Sequence, residues 1–142
     1  MTSPCNCLSL RQATRRVTQL YDQAFAPIDL RATQFSLLAK VEQLAPITLN
    51  ALAAALVMDR ATLGHNVRPL EARGLLKLKV GEDRRSREVS LTKAGRDRLA
   101  QGRKLWRQAQ RSFEDEIGQD TAATLRAMLQ RIAETDFVLV GR

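Results

Sequence analysis

The sequence predicts a mainly α-helical protein with one small β-hairpin. Apolar residues recur at the three- and four-residue spacing of a single helix face through most of the chain. The exception is residues 76–91, where two short runs alternate apolar and polar residues on either side of a charged turn. No repeat, low-complexity tract or linker divides the 142 residues, so we expect one domain over residues 1–142.

The N-terminal segment, residues 8–26, has the pattern of an amphipathic helix that ends near Pro27. Its apolar positions form one stripe: Leu10, Ala13, Val17, Leu20 and Ala24. A further helix begins near Arg31, and we expect its Phe35 and Leu38 to pack as scaffold beneath the helices that follow.

Two short helices follow, joined by a three-residue turn. The first is capped by Thr48 and carries an apolar stripe of Leu49, Leu52, Ala53 and Leu56. Asp59 is a good N-cap for the second, whose apolar residues are Leu63, Val67 and Leu70. Two helices this close must cross steeply, and in that geometry the second helix is offered to the DNA major groove.

The opposite face of this second helix, the recognition helix, carries side chains able to donate hydrogen bonds to base edges or phosphates: Arg60, Thr62, His65, Asn66 and Arg68. Gly64 lets the backbone come close to a partner. Such a face, taken alone, is most often ordinary solvated surface. The elements that come next favour DNA.

After Arg73 and Gly74 end the helix, a strand alternates Leu76, Leu78 and Val80 with lysines, and Val89 and Leu91 repeat the pattern after the loop. Three arginines at the tip and exit of this hairpin suit the negative minor groove: Arg84, Arg85 and Arg87. Glu82 and Asp83 beside them either orient a guanidinium or balance charge. Together these elements predict a winged helix-turn-helix over residues 46–98, with double-stranded DNA as its partner.

The charge distribution agrees with this prediction. Residues 46–98 hold 11 Lys and Arg against 6 Asp and Glu, a net charge of +5, whereas residues 1–45 carry +2 and residues 99–142 carry +1. A basic excess in the winged segment is what counterion release on DNA requires.

Two more apolar stripes follow the hairpin within residues 99–140: Leu99, Trp106, Ala109, Phe113 and Ile117, then Leu125, Met128, Leu129 and Ile132. With the N-terminal stripe, they need a partner surface, which an intramolecular bundle or a two-fold homodimer would supply. The dimer fits better because it also spaces two recognition helices by about 34 Å, one DNA turn. We therefore expect residues 8–26 and 99–140 to form a helical dimerisation region. Gly95 and Gly102 weaken the start of the long helix, which we interpret as flexibility.

Three runs resemble the multiple-antibiotic-resistance regulator (MarR) family: Leu70-Glu71-Ala72-Arg73-Gly74-Leu75, Asp83-Arg84-Arg85 and Val89-Ser90-Leu91-Thr92-Lys93-Ala94-Gly95. The resemblance implies a homodimer that binds a palindromic operator, usually as a repressor released by a ligand or by oxidation. Val57 stands where related turns favour glycine, which predicts backbone strain. Pro69 removes an N–H from the recognition helix and predicts a bend there.

Cys5 and Cys7 lie just before the predicted first helix, where the helix dipole makes a thiolate a better nucleophile. The stretch from Cys7 to Tyr21 resembles the organic-hydroperoxide-sensing branch of the family, which implies Cys7 as the peroxide sensor. A sulfenic acid on Cys7 could be resolved to a disulfide by Cys5 or by a cysteine of the partner chain. Arg11 stands where a second tyrosine is expected. The alternatives are inert thiols, or a soft-metal or metalloid site, although a four-coordinate zinc site needs more ligands than this pair.

A small-molecule effector is the other route to regulation. In the resembled family the effector pocket lies between the dimer helices and the winged module. The resemblance places Tyr21, Phe25 and Phe35 near its lining, with Arg16 able to meet an anionic effector. Each aromatic residue alone is more often core.

Enzyme activity is the poorest fit, since the only histidine, His65, sits on the proposed DNA face and no paired carboxylates or phosphate loop appear. We expect no catalytic residues, cofactor or metal. The longest apolar run, Ala51 to Met58, is far short of the roughly 20 residues that cross a bilayer. With no signal peptide, the cytoplasm is expected. An effector-independent architectural DNA-binding protein is the second functional class.

Overall fold

Six α-helices and three β-strands make up the part of the chain that the computed structural model describes, residues 4–141. In chain order they are α1 (Asn6–Phe25), a 3₁₀ turn (Ala26–Ile28), α2 (Ala32–Leu44), β1 (Ile47–Thr48), α3 (Leu49–Ala55), α4 (Arg60–Ala72), β2 (Leu76–Val80), β3 (Arg87–Leu91), α5 (Lys93–Ile117) and α6 (Gln119–Ala133). The predicted mainly helical fold with a small β-hairpin is confirmed. Residues 1–3 and 142 of the predicted domain lie outside the described residues.

The described chain divides into two compact units, one up to Ala109 and one from Gln110 onwards. Helix α5 belongs to both. The predicted single-domain organisation therefore stays a prediction. Among residues 4–141, no helix combines the length and apolar character that a membrane crossing requires.

The core of the first unit is mostly aliphatic, with Phe25 and Phe35 as its aromatic members, and lies between α2, α3, α4, the sheet and the start of α5. Its fully buried side chains include Leu38, Val41, Leu52, Leu63, Leu70, Val89 and Leu99. Each such leucine contributes about 1.5–3 kcal/mol through removal from water. The predicted stripes of α3 and α4 are thus the faces that the fold buries, and they fix the outward face of α4.

The helix starts follow the predicted caps. The Thr48 hydroxyl accepts a hydrogen bond from the Ala51 N–H at 3.2 Å, and the Asp59 carboxylate caps α4. Helix α1 ends at Phe25, and Pro27 lies in the 3₁₀ turn that follows. Helix α4 continues through Pro69 to Ala72, so the bend at Pro69 stays a prediction.

The sheet has one strand more than the predicted hairpin. Its order is β1-β3-β2, all antiparallel, with Val89 of β3 opposite Ile47 on one side and Leu78 on the other. The alternation predicted for β2 holds only at its start, because Leu76 is buried while Val80, at the hairpin end, is 55% exposed. Strand β1 connects the start of α3 to the hairpin, because it pairs with β3.

Close packing, rather than flexibility, accounts for two glycines of α5. A Cβ on Gly95 would collide with the Leu75 carbonyl oxygen. A Cβ on Gly102 would lie 2.6 Å from the Phe35 ring and 3.2 Å from Ile28. Both glycines are buried, so the sequence-based reading of them as points of weakness misses their role in bringing backbone and ring close to the helix.

The turns after α3 and α4 share one hydrogen-bond pattern but differ at their central residue. After α4, Gly74 (φ 72°) donates to the Glu71 carbonyl and Leu75 donates to the Leu70 carbonyl. After α3, Val57 (φ 54°) donates to Ala54 and the next residue donates to Ala53. Both are Schellman caps, whose left-handed position favours glycine. Val57 is 71% exposed, so no burial of its side chain offsets the strain, and the predicted strain is confirmed.

Replacing Val57 by glycine is expected to raise the free energy of unfolding by about 0.5–1 kcal/mol. A residue with a Cβ loses about 1–2 kcal/mol in the left-handed conformation, and glycine removes this penalty. Glycine also increases the entropy of the unfolded chain, which cancels about half of the gain. Urea denaturation measures the change.

Gly74→Ala is the matched control. It puts a Cβ at the same position of the other cap, where nothing lies within 4 Å, so the backbone penalty, reduced by the same entropy term, should lower stability by about 0.5–1 kcal/mol. Equal stabilities of Val57→Gly and the wild type would show that the α3–α4 turn bears no net strain.

Candidate nucleic-acid interface

The recognition helix α4 starts at a doubly bonded cap. One Asp59 carboxylate oxygen accepts from the Thr62 N–H at 2.7 Å and the other accepts from the Thr62 hydroxyl at 2.9 Å. These bonds lower the pKa of Asp59 below its ordinary value; the backbone N–H of Thr62 has the larger effect and its hydroxyl the smaller. Because the Thr62 hydroxyl proton is used in the cap, only oxygen lone pairs remain for a DNA contact, which differs from the donor role expected from the sequence.

Asn66 is also partly committed within the protein. It is half-buried, and its Nδ2 donates to the Met58 sulfur at 3.8 Å. This contact turns one amide hydrogen towards the α3–α4 turn. The second amide hydrogen and the amide oxygen remain for a partner.

Three predicted DNA-contacting side chains of α4 are exposed: Arg60, His65 and Arg68. None forms a hydrogen bond or ion pair with another residue in the described part of the chain. Their donors are therefore available to base edges or phosphates.

Gly64 lies on this same face and leaves the helix backbone open. A Cβ built there would meet only the Arg60 guanidinium, at 3.9 Å. Since no described residue requires glycine at this position, its missing side chain matters for what approaches the helix from outside.

The wing, residues 81–86, is braced by its own side chains and backbone. The Asp83 carboxylate accepts from the Arg85 backbone N–H at 3.0 Å, and the Asp83 carbonyl accepts from both the N–H and the hydroxyl of Ser86. The Gly81 N–H closes the loop onto the Ser86 carbonyl at 3.2 Å. Asp83 thus holds the backbone of the turn, a role different from the predicted orientation of a guanidinium.

The three wing arginines divide into two groups. The Arg87 guanidinium donates to the carbonyls of Arg84 (3.2 Å) and Ser86 (3.0 Å), so it stabilises the backbone of the wing. Arg84 and Arg85 have exposed side chains at the tip. The sequence grouped all three as DNA contacts, but the geometry leaves Arg84 and Arg85 as the free cations.

An open cavity of about 430 Å³ lies on the first unit, lined by Tyr21, Phe25, Phe35, Ser36, Ala39, Lys40, Gln43, Arg103, Trp106 and Arg107. The rings of Phe25 and Phe35 stack with centroids 4.4 Å apart. The three predicted aromatic residues therefore meet at one cavity. Arg16 does not line it. The cations at the cavity are Lys40, Arg103 and Arg107, and Arg103 is paired with Glu42. No sequence pattern pointed to these three residues, because they come from α2 and α5, which are far apart in the chain.

The two cysteines are exposed free thiols with different positions. Cys5 is the N-cap of α1, and its sulfur accepts from the Leu8 N–H at 3.4 Å. Cys7 lies inside the first turn of the helix, whereas the sequence placed both before it. No group of three or more His, Cys, Asp or Glu that could hold a metal ion occurs within residues 4–141.

Comparisons with known proteins agree with this geometry. The model of the MarR family matches residues 30–86. The M. tuberculosis transcriptional regulator MosR, in complex with DNA, is 31% identical, with a TM-score of 0.85 over 92% of this chain and 95% of that one. The transcriptional repressor CouR, bound to a 23-mer DNA duplex, is 29% identical, with a TM-score of 0.83 over 92% of this chain and 93% of that one.

A MarR-family transcriptional regulator from Rhodococcus sp. RHA1 is 25% identical, with a TM-score of 0.78 over 91% of this chain and 92% of that one. Comparison of the sequence with curated proteins gave no match.

Gly64→Ala is expected to change stability and DNA affinity in opposite directions. Alanine favours a helix interior over glycine by about 1 kcal/mol, and the added Cβ meets no close neighbour in the protein. The same methyl group would hold DNA away from the α4 backbone. Urea denaturation and DNA-binding titrations on one preparation measure both effects.

Ala61→Gly, one turn earlier at an exposed position of α4, is the control, and it should lower stability by about 1 kcal/mol. A Gly64→Ala protein that is more stable and binds DNA as tightly as the wild type would remove Gly64 from the interface.

Proposed function

Because the chain belongs to the MarR family of transcriptional regulators, we propose that it is a sequence-specific DNA-binding regulator that acts on a palindromic operator. The observation that carries this proposal is that two neighbouring elements, α4 and the wing, each expose a set of basic side chains. Helix α4 offers Arg60, His65 and Arg68, which have no hydrogen-bond or ion-pair partner among residues 4–141, and the braced wing offers Arg84 and Arg85. The former suit the major groove and the latter the minor groove.

The regulator acts as a homodimer in this proposal. Helix α1 exposes Leu8 and Leu10, at 52% and 38%. The unit from Gln110 onwards exposes a larger apolar set: Ile117, Met128, Leu129, Ile132, Phe137, Val138, Leu139 and Val140. Apolar groups at this density mark an association surface, and a two-fold dimer would also present two recognition helices to the two halves of a palindrome.

In this proposal the protein is a repressor, and its signal is a small molecule that binds in the cavity. Binding of that molecule releases the protein from DNA. The cavity lining combines aromatic rings, among them Tyr21 and the stacked pair Phe25 and Phe35, with cationic side chains. Glu42 already neutralises Arg103, which leaves Lys40 and Arg107 to meet an anion. An aromatic or other flat apolar effector with a carboxylate fits this lining.

Thiol oxidation is the second candidate signal, favoured by the exposure of both cysteines at the start of α1. Residues two apart on a helix do not face each other, and Cys7 is already helical. A Cys5–Cys7 disulfide would therefore unwind the first turn, whereas a bond to the partner chain would not require this. Cys7 as sensor, and likeness to the hydroperoxide-sensing branch, remain proposals.

Variants of the wing and of the recognition helix are expected to fail in different ways. Arg84→Ala and Arg85→Ala should weaken binding to all duplexes and reduce the salt dependence by about one phosphate contact each. His65→Ala and Arg60→Ala should change the preferred base at particular positions, by about 1–3 kcal/mol for each lost base contact. Selection from a random-sequence duplex library, followed by titrations at several salt concentrations, measures both.

Arg111→Ala removes an exposed cation from α5 and serves as the charge control. Failure of the wild type to enrich any sequence, with equal affinity for all duplexes, would instead favour an architectural DNA-binding protein, since a regulator prefers its operator by about 4–10 kcal/mol.

Release of DNA by an aromatic carboxylate is expected to depend on Arg107. With benzoate as the probe, Arg107→Ala should need about tenfold more ligand for half-release, because one charge-assisted hydrogen bond is lost. Arg111→Ala should respond as the wild type does. Fluorescence anisotropy of a labelled operator measures the release.

Hydrogen peroxide on wild type, Cys5→Ser and Cys7→Ser forms the second arm of the same experiment. Peroxide-driven release that vanishes in Cys7→Ser, together with indifference to benzoate, would establish thiol control in place of the cavity.

A further inference from the structure

The turn between α1 and α2 holds an unusual backbone. Helix α1 is followed by the 3₁₀ turn, and Asp29 then adopts φ 53° and ψ 47°, the left-handed region that most side chains avoid. The Asp29 N–H donates to the Ala26 carbonyl at 3.0 Å. A strained residue of this kind keeps its conformation when its surroundings hold it there.

Two arginines from much later in the chain donate hydrogen bonds to backbone carbonyls of this turn. Arg73, the C-cap of α4, donates to the Asp29 carbonyl at 2.7 Å, and Arg98 of α5 donates to the Ile28 carbonyl at 2.7 Å. Arg73 also lies 3.4 Å from an Asp29 carboxylate oxygen, but that side chain is 97% exposed. The shorter bond to the carbonyl is therefore the main contact, because water screens the ion pair.

The other end of the same turn is the wall of the cavity. Phe25, the last residue of α1, is buried and stacks on Phe35, and both line the cavity. Ile28, inside the turn, packs with Phe35 where α5 approaches at Gly102. Only three residues thus separate the cavity-lining Phe25 from Asp29, whose carbonyl is bonded to Arg73 at the end of the recognition helix.

We propose that Arg73 is a positioning residue that fixes the C-terminal end of the recognition helix to the turn after α1 and couples that helix to the cavity. It acts through the Asp29 carbonyl and does not contact DNA. The Asp29 carboxylate is dispensable. This inference rests on the proposed function and adds the contact through which the cavity and the DNA-binding face affect each other.

The first test compares Arg73→Ala with Asp29→Asn, which keeps the carbonyl and a residue type that tolerates the left-handed region. The probes are the duplex that the wild type selects from a random library and a scrambled duplex of the same length. Arg73→Ala should bind the selected duplex about tenfold more weakly, since one charge-assisted hydrogen bond is lost, and keep its affinity for the scrambled one. Asp29→Asn should match the wild type on both.

A direct phosphate contact by Arg73 predicts the opposite pattern. Affinity for both duplexes would fall equally and the salt slope would drop by about one, and either result would overturn the proposal.

Trp106 supplies a readout that a merely structural role would not move. It lines the cavity and is the sequence's one tryptophan, so its emission reports on that site. Coupling is reciprocal, and saturating operator should therefore shift the emission in the wild type and in Asp29→Asn. The shift should be lost in Arg73→Ala at duplex concentrations that still saturate it.

Arg98→Ala releases the same turn from α5 and keeps the proposal testable if Arg73→Ala folds poorly. It should also lose the Trp106 shift. A shift that persists in both variants, or that is absent in the wild type, overturns the coupling. If the wild type selects no sequence at all, the proposed function itself fails, and this inference with it.

Discussion

The junction at which α4, β2 and α5 meet is the constraint on which the DNA-binding surface depends. The Thr92 hydroxyl donates to the Gly74 carbonyl at 2.6 Å and accepts from the Gly95 N–H at 3.0 Å, while the Thr92 N–H donates to the Leu75 carbonyl. Gly95 then lies so close to that carbonyl that no side chain fits. One hydroxyl therefore satisfies the end of the recognition helix and the start of α5 together. The wing hairpin begins and ends at this point, so its orientation relative to α4 is set here.

Elsewhere in the winged segment, three charged side chains satisfy backbone groups of their own turns. Asp59, Asp83 and Arg87 all appear in the sequence as charged surface residues, and each bonds to main-chain atoms of its own turn. These bonds leave a smaller set of free cations than the composition suggests. The free set lies on rigid backbone, which limits the entropy lost when DNA is bound.

The sequence predicts most of the fold because its signals are local. The stripes of α3 and α4, the caps at Thr48 and Asp59, and the alternation of β3 each depend on neighbours within a few residues. Strand β1 is missed because two residues cannot show alternation, and Thr48 serves as both strand end and helix cap.

The site is predicted less completely because its remaining parts depend on residues far apart in the chain. Gly102 looks like a weak point until the Phe35 ring is seen against it. The cavity cations come from α2 and α5, whereas Arg16, the cation expected from the sequence, lies on α1 and is not part of the lining. The hydrogen bond from Arg73 to the Asp29 carbonyl joins positions 44 residues apart, and sequence patterns of helices and strands do not predict contacts at that separation.

The cap at Asp59 has a consequence for how the protein would search a genome. The positive end of a helix dipole is a natural seat for phosphate, but in α4 a carboxylate already fills it and both of its oxygens are bonded. A DNA backbone that nears this end meets a negative charge, whatever the base sequence. That repulsion weakens binding to random DNA and to the operator alike, and base contacts compensate for it only at the operator. The fixed carboxylate thus shortens the time spent on wrong sites and leaves more molecules free to find the right one.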